Sequence, residues 1–292
     1  MLDADHLQQL RAAFRAHSFF LRYVSDRAQA VLDTIIDHPR FAGVSDPSAL
    51  LMLATLLQAT RPPRVLQLGT HIGFSAIVIA DILAHNAPPG TLITVDPEES
   101  AHELARSWVA EAGLAERMTL LDGASTEPRV TAALDRAGPF DLIYLDSSHA
   151  YQATLEELDR ILAPDGWLAE SGLLVLHDAG LGAAQWDPTA QGGVRRALEE
   201  WMARHAARCQ MLVLEPPLWP NICGLGLVAR RPAQAQVLAQ RFDSPLPEPA
   251  RVRIAELEHQ IAVKNEHIER LEALLHRIEH GRLMRVLRWM QR

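Results

Sequence analysis

Residues 65–76, VLQLGTHIGFSA, constrain this chain more than any other stretch. A short apolar run ends at Gly69, Gly73 follows four residues later, and an apolar helical pattern opens near Phe74. A strand that turns through glycine into a helix brings backbone close to a ligand and offers free N–H groups at the helix start. A second strand pattern, TLITVD, ends at Asp96, about 23 residues beyond Gly73. An acidic residue closing the second strand of a doubly wound sheet is placed to bind ribose hydroxyls. Together the two segments predict an α/β chain that takes an adenosine-containing cofactor.

What the loop lacks narrows the choice. A dinucleotide fingerprint needs G-x-G-x-x-G to seat a pyrophosphate, and a P-loop needs Gly-Lys-Ser/Thr. Here the pattern is G-x-x-x-G with Thr70, His71 and Ile72 between the glycines. An adenosine without phosphates fits better, and S-adenosylmethionine is the common one.

Alternation continues along the chain. Strand patterns fall near 64–68, 91–95, 117–121, 140–145, 172–176, 211–214 and 222–229, with helices near 73–85, 99–113, 126–137, 151–162 and 193–206. This reads as a doubly wound, mainly parallel seven-stranded sheet whose last hairpin is antiparallel. Residues 4–38 read as two amphipathic helices ended by Pro39, and a third starts after the cap Ser45-Asp46-Pro47. The expected organisation is an N-terminal helical cap over 1–60, a catalytic body over 61–231 and a linker over 232–250. A coiled coil with a basic amphipathic tail follows over 251–292.

The tail rests on a heptad. Ile254, Ile261, Ile268 and Leu275 occupy a positions, with Leu257, Lys264, Leu271 and Ile278 at d. That pattern favours a parallel two-stranded coil and hence a homodimer; a helix folded back on its own body is the alternative. Beyond Gly281, Arg282, Arg285, Arg288 and Arg292 share one helical face and Leu283, Leu287 and Met290 another, which suits an anionic membrane surface.

Charge separates the two parts. From residue 251 onward 9 Lys/Arg stand against 6 Asp/Glu, while the preceding residues carry 19 against 30. An acidic body argues against a nucleic-acid substrate. The acidic, polar N-terminus does not read as a secretory signal, and no apolar run is long enough to span a bilayer. Cys209 and Cys223 match no metal or redox spacing and read as buried thiols. The expected location is cytoplasmic, with peripheral contact at the inner membrane through the tail.

The chemistry is expected at the strand ends. The fourth strand closes at Asp146, followed by Ser147-Ser148-His149-Ala150-Tyr151, and the fifth closes at His177-Asp178. Ligands in such sheets bind beyond the carboxyl ends of the strands, so Asp146 and Asp178 should share a crevice with Gly69 and Asp96. Two carboxylates could hold Mg²⁺, and His177 or His149 as a third ligand would tilt the choice toward Mn²⁺, Fe²⁺ or Zn²⁺. The segment from Leu181 to Gly193 should close over the acceptor; His6, His17, Phe19, Phe20, Tyr23 and the loop around Trp186 could contribute to a lid, although most of them read as ordinary helix-packing residues.

These motifs resemble those of class I S-adenosylmethionine-dependent methyltransferases, in the branch containing catechol O-methyltransferase and the macrolide-sugar O-methyltransferases. The resemblance covers roughly residues 45–230. It implies that Gly69, His71, Gly73 and Ser75 line the methionine and ribose side of the cofactor and that Asp96 takes the ribose hydroxyls. Gly123, Ala124 and Ser125 would lie near the adenine. It implies metal ligation by Asp146 and Asp178, with His177 beside them, and His149 stands at the offset where the catechol enzyme has its lysine base. The expected reaction is methyl transfer to a hydroxyl, catalysed by His149 and Asp146. A sugar or surface-polysaccharide precursor is the first choice of acceptor and a phenol or catechol the second. A non-catalytic scaffold in a glycan-synthesis complex is the competing class.

Overall fold

The computed structural model describes residues 4–215 and 223–231, together with Lys264. The chain opens with α1 (Ala4–His17), a 3₁₀ turn (Phe19–Tyr23) and α2 (Asp26–Ile36), then a second 3₁₀ turn (Pro39–Gly43) and α3 (Pro47–Thr60). Alternation follows: β1 (Arg64–Leu68), α4 (Phe74–Ala84), β2 (Thr91–Asp96), α5 (Glu99–Ala112), β3 (Met118–Asp122), α6 (Pro128–Ala137), β4 (Phe140–Leu145) and α7 (Tyr151–Leu162). Then come β5 (Leu168–His177), α8 (Gly193–His205), β6 (Cys209–Leu214) and β7 (Leu225–Arg230).

The strands form one seven-stranded sheet in the order β3-β2-β1-β4-β5-β7-β6. The first five are parallel, and β7 runs antiparallel between β5 and β6. Strand order reverses between β1 and β4, which opens a crevice at their carboxyl ends.

The cap explains an unusual helix. Every residue of α4 from Phe74 to Leu83 is buried, because α2, α3 and α5 pack against it on the sides the sheet leaves open. A helix apolar all round needs such cover. Its one acid, Asp81, accepts the backbone N–H and the hydroxyl of Ser25 at 2.7 Å each, so the start of α2 is tied to the body by a buried carboxylate. Phe14, Phe20, Phe41 and Phe74 meet edge to face where cap and body join. On the sheet's other face, α6, α7 and α8 bury Leu134, Leu158, Ile161, Leu198 and Trp201.

All these elements lie within the compact unit Met1–Pro232. The expected linker and coiled coil, with the dimer and membrane contacts they would supply, lie outside the described residues; Lys264 itself is helical and exposed. No helix among the described residues is long and apolar enough to cross a membrane.

Candidate active site

The crevice is built from the glycine loop outward. Gly69 has φ +97°, and a Cβ there would stand 1.9 Å from the carbonyl oxygen of Asp146, so only glycine lets the ends of β1 and β4 lie this close. Asp96 Oδ2 accepts the backbone N–H groups of Thr70 (2.9 Å) and His71 (2.8 Å), while Oδ1 accepts that of Glu98 (2.8 Å). A carboxylate has about four lone-pair sites. Asp96 therefore holds the loop in shape and keeps capacity for about one further donor, such as a hydroxyl.

A cavity of about 930 Å³ lies over these strand ends, and its wall includes Gly69, His71, Ser75, Asp96, Gly123, Ala124 and Ser125. Gly73 is the exception among the expected cofactor residues. It precedes α4 with φ +88°, and a Cβ there would press on Ala105 at 3.0 Å. Its role is to turn the chain against α5 rather than to line the cavity. Glu157 on α7 also reaches the wall and takes the hydroxyls of Ser125 and Ser147, each at 2.7 Å. Burial pushes its carboxyl above the ordinary range.

At the ends of β4 and β5 four charged side chains converge. Asp146 Oδ2 accepts the Ser45 hydroxyl at 2.6 Å, and the buried Tyr144 hydroxyl lies 3.0 Å from Ser45 Oγ and 3.3 Å from Asp146 Oδ2. His177 Nδ1 lies 3.3 Å from Asp146 Oδ1 and 3.1 Å from Asp178 Oδ2, while its Nε2 lies 3.1 Å from Asp46 Oδ2. His149 Nδ1 stands 2.8 Å from Asp178 Oδ2. Asp178 holds φ +57°, a left-handed conformation uncommon for non-glycine residues and found where a site dictates the backbone.

The electrostatics follow from this crowding. Burial opposes charge on His177, but Asp146, Tyr144 and Asp178 around it outweigh burial and hold its proton well above the imidazole range. Burial likewise opposes charge on Asp146 and Asp178, yet the neighbouring histidines keep both carboxyls below the usual range. The hydrogen bond to Asp178 raises His149. This nest of carboxylates favours positive charge at His177, which its raised proton affinity reflects.

A methyltransferase-domain family model matches residues 66–179. A protein of Mycolicibacterium vanbaalenii carrying an O-methyltransferase name is 30% identical over 190 residues, spanning 65% of this chain and 78% of its own length. One of Mycobacterium avium with the same name is 27% identical over 185 residues, 63% of this chain and 76% of its own. The chain belongs to the class I S-adenosylmethionine-dependent O-methyltransferases. Solved methyltransferases share the fold. A Bacillus cereus O-methyltransferase crystallised with SAH aligns with a TM-score of 0.60 at 20% identity, over 77% of this chain and 100% of that one. TomG of Streptomyces achromogenes, crystallised with SAM, aligns at 0.55 and 22%, over 80% and 100%.

Within the methyltransferase, the donor set at β4 and β5 fits a divalent ion. Asp146, His177 and Asp178 each offer an atom within 4.8 Å of the others. Two ligands at right angles on an ion about 2.1–2.2 Å away stand about 3 Å apart, close to the 3.1 and 3.3 Å separations from Nδ1. A second grouping, Asp46, His177 and Cys223, shares the same imidazole. Burial pushes the Cys223 thiol up to about 12, so with no ion bound it stays a neutral thiol.

Several expectations need correction. Among the lid candidates only Trp186 lines the cavity. Phe20 is fully buried in the aromatic cluster, and Phe19 faces outward at 51% exposure. The wall near the cap is instead formed by Leu10, Phe14 and Phe41, since α1 and the Pro39–Gly43 turn are the parts of the cap that meet the crevice. Cys223 is half-buried and lines the cavity rather than sitting in the core. Ser45, Asp46 and Glu157 were not legible as site residues. Ser45-Asp46-Pro47 carries a helix-cap signature, which is true of Asp46 but covers only one of its oxygens.

Proposed function

We propose that this methyltransferase moves the methyl group of S-adenosylmethionine to a hydroxyl oxygen of a sugar or surface-polysaccharide precursor, with His149 as the base. The supporting observation is the Asp178–His149 pair at the mouth of the cofactor cavity. With Asp178 keeping the proton on Nδ1, Nε2 presents its lone pair to an acceptor hydroxyl. The sulfonium is already activated, so the chain's task is alignment and exposure of an oxygen lone pair. The acceptor oxygen attacks the methyl carbon in line with the departing sulfur. The new O–CH₃ bond forms as the S–CH₃ bond breaks, the sulfonium becomes a neutral thioether, and the hydroxyl proton passes to His149 Nε2.

In this reading the cofactor lies along Gly69, His71 and Ser75, with Asp96 accepting a ribose hydroxyl and Gly123, Ala124 and Ser125 beside the adenine; Gly73 shapes the turn behind them. Asp146, His177 and Asp178 would hold a divalent ion, which would draw the acceptor oxygen in and lower its pKa. Trp186 supplies an aromatic face at the mouth, and the imidazoles and carboxylates supply partners for neighbouring hydroxyls, as a polyol acceptor requires. Calorimetric titration with SAM, SAH and NAD tests the cofactor: tight NAD binding with no response to either sulfur compound would replace this reading with a dehydrogenase. An acceptor screen of nucleotide sugars, lipid-linked glycans and catechols tests the substrate, and turnover confined to catechols would move the acceptor to phenols.

A further inference from the structure

Among the described residues, Asp46 is the one carboxylate lining the site that comes from the cap. Its Oδ1 accepts the backbone N–H groups of Ser48 (2.8 Å) and Ala49 (3.1 Å) and so caps α3, with Pro47 in the first turn. Its Oδ2 is left for His177 Nε2 at 3.1 Å. Both partners are buried, at 7% side-chain exposure each, and the helix cap fixes the carboxylate in place. The neighbouring Ser45 does the same for Asp146, donating to the oxygen that does not face His177. Residues 45 and 46 thus brace two of the three donors from behind.

A carboxylate accepting one imidazole N–H fixes the tautomer so that the other nitrogen presents a lone pair, and it raises the basicity of that nitrogen. We propose that Asp46 is the positioning residue for a metal-ligating His177, and that the imidazole it orients makes the site select Mn²⁺ over Mg²⁺. This rests on the reading of Asp146, His177 and Asp178 as ion ligands. An all-oxygen set suits Mg²⁺, which holds its waters and accepts nitrogen poorly; one nitrogen among two carboxylates suits Mn²⁺ and its borderline neighbours. The side chain at position 177 therefore sets the choice of ion, and Asp46 sets the geometry of that side chain.

The test uses the full chain, stripped with chelator and saturated with SAH. Mn²⁺ is titrated by electron paramagnetic resonance, with Mg²⁺ as competitor. Mn²⁺ should bind about tenfold or more tighter than Mg²⁺, and pulsed spectra should show coupling to one imidazole nitrogen. Asp46→Asn retains an oxygen to cap α3 but loses the acceptor for His177, and should weaken Mn²⁺ by about 10–100-fold with SAH affinity unchanged. His177→Asp should abolish the nitrogen coupling and shift preference toward Mg²⁺. Unaltered Mn²⁺ affinity in Asp46→Asn overturns the positioning role. Equal affinity for the two ions, or no nitrogen coupling in the wild type, overturns the selectivity. If neither ion binds while SAH does, the ion reading falls and the methyltransferase reading stands; failure of SAH itself to bind strikes the latter.

Discussion

Asp187→Ala should loosen residues 187–193, the loop that leads into α8. Asp187 Oδ1 accepts the Thr189 N–H (2.8 Å) and hydroxyl (2.7 Å), and Oδ2 accepts the N–H groups of Gln191 (2.8 Å) and Gly193 (2.9 Å). One carboxylate thus folds the loop upon itself and supplies an anion to the first turn of α8, where the helix dipole favours it. Burial works against its charge, but the Thr189, Gly193 and Gln191 bonds prevail and bring its pKa from 3.8 to about 2. A hydrogen bond to a charged group contributes about 1.5–3 kcal/mol net, so removing an acceptor of four should shift the opening equilibrium by roughly tenfold or more. A depressed carboxyl stabilises fully above its unfolded pKa and loses that contribution as pH falls through about 2, so at neutral pH the whole amount is present. The loop bears on catalysis because Trp186 lines the cavity and a Cβ on Gly193 would meet the His149 carbonyl at 3.1 Å. Amide exchange across residues 187–193 should accelerate by roughly tenfold or more in Asp187→Ala, and acceptor KM should rise while SAM affinity holds. Unchanged exchange in this segment would refute the argument, because four lost hydrogen bonds could not then be holding the loop.

His149→Ala should cut kcat by about 10²–10⁴ with SAM affinity unchanged, and stopped assays at saturating SAM read this directly. Ser25→Ala removes the hydroxyl that the buried Asp81 carboxylate accepts and the cap its oxygen gives the Ala28 N–H, while the backbone N–H to Asp81 remains; it should cost about 2–3 kcal/mol in urea unfolding, and a loss below about 0.5 kcal/mol would deny the carboxylate its anchoring role. Glu157 has a carboxyl raised by burial, so the native state binds its proton more tightly than the unfolded chain. Its contribution to stability therefore falls as pH climbs from 4.5 through the raised value. Glu157→Gln should flatten that part of the stability–pH curve.

The order of strands and helices was readable because the periods are clean and the turns are marked. The apolar strand runs and amphipathic α5, α6, α7 and α8 leave little room for another reading, and Pro47 and Gly113 mark helix ends where the structure has them. The parallel strand ends then place Asp96, Asp146, His177 and Asp178 together by topology alone. What stayed hidden was every contact that crosses the cap. Nothing local marks Ser45 as a partner of Asp146, about a hundred positions away, or Asp46 as a partner of His177. Phe20 packs in the core, in line with the helix-packing reading, but an aromatic residue in an amphipathic segment carries no sign of which apolar surface it meets. Glu157 sits in a helical pattern whose buried face was expected to be apolar, and only the two serines that meet it make an acid tolerable there.

The cap completes the site from outside the sheet. The five parallel strands and the glycine loop lie almost wholly within the stretch that the methyltransferase-domain model covers. Residues 40–46 add four contacts from outside that stretch. The Arg40 carbonyl lies 3.1 Å from His71 Nε2, Gly43 lies against the same ring, Ser45 binds Asp146 and Asp46 binds His177. The first two hold a wall of the cofactor cavity, and the last two hold the groups that would receive the acceptor. One short segment therefore couples the donor side to the acceptor side. Its position depends on the same cap helices that cover α4. The cover that so apolar a helix needs is therefore also the cover that brings residues 40–46 to the polar crevice.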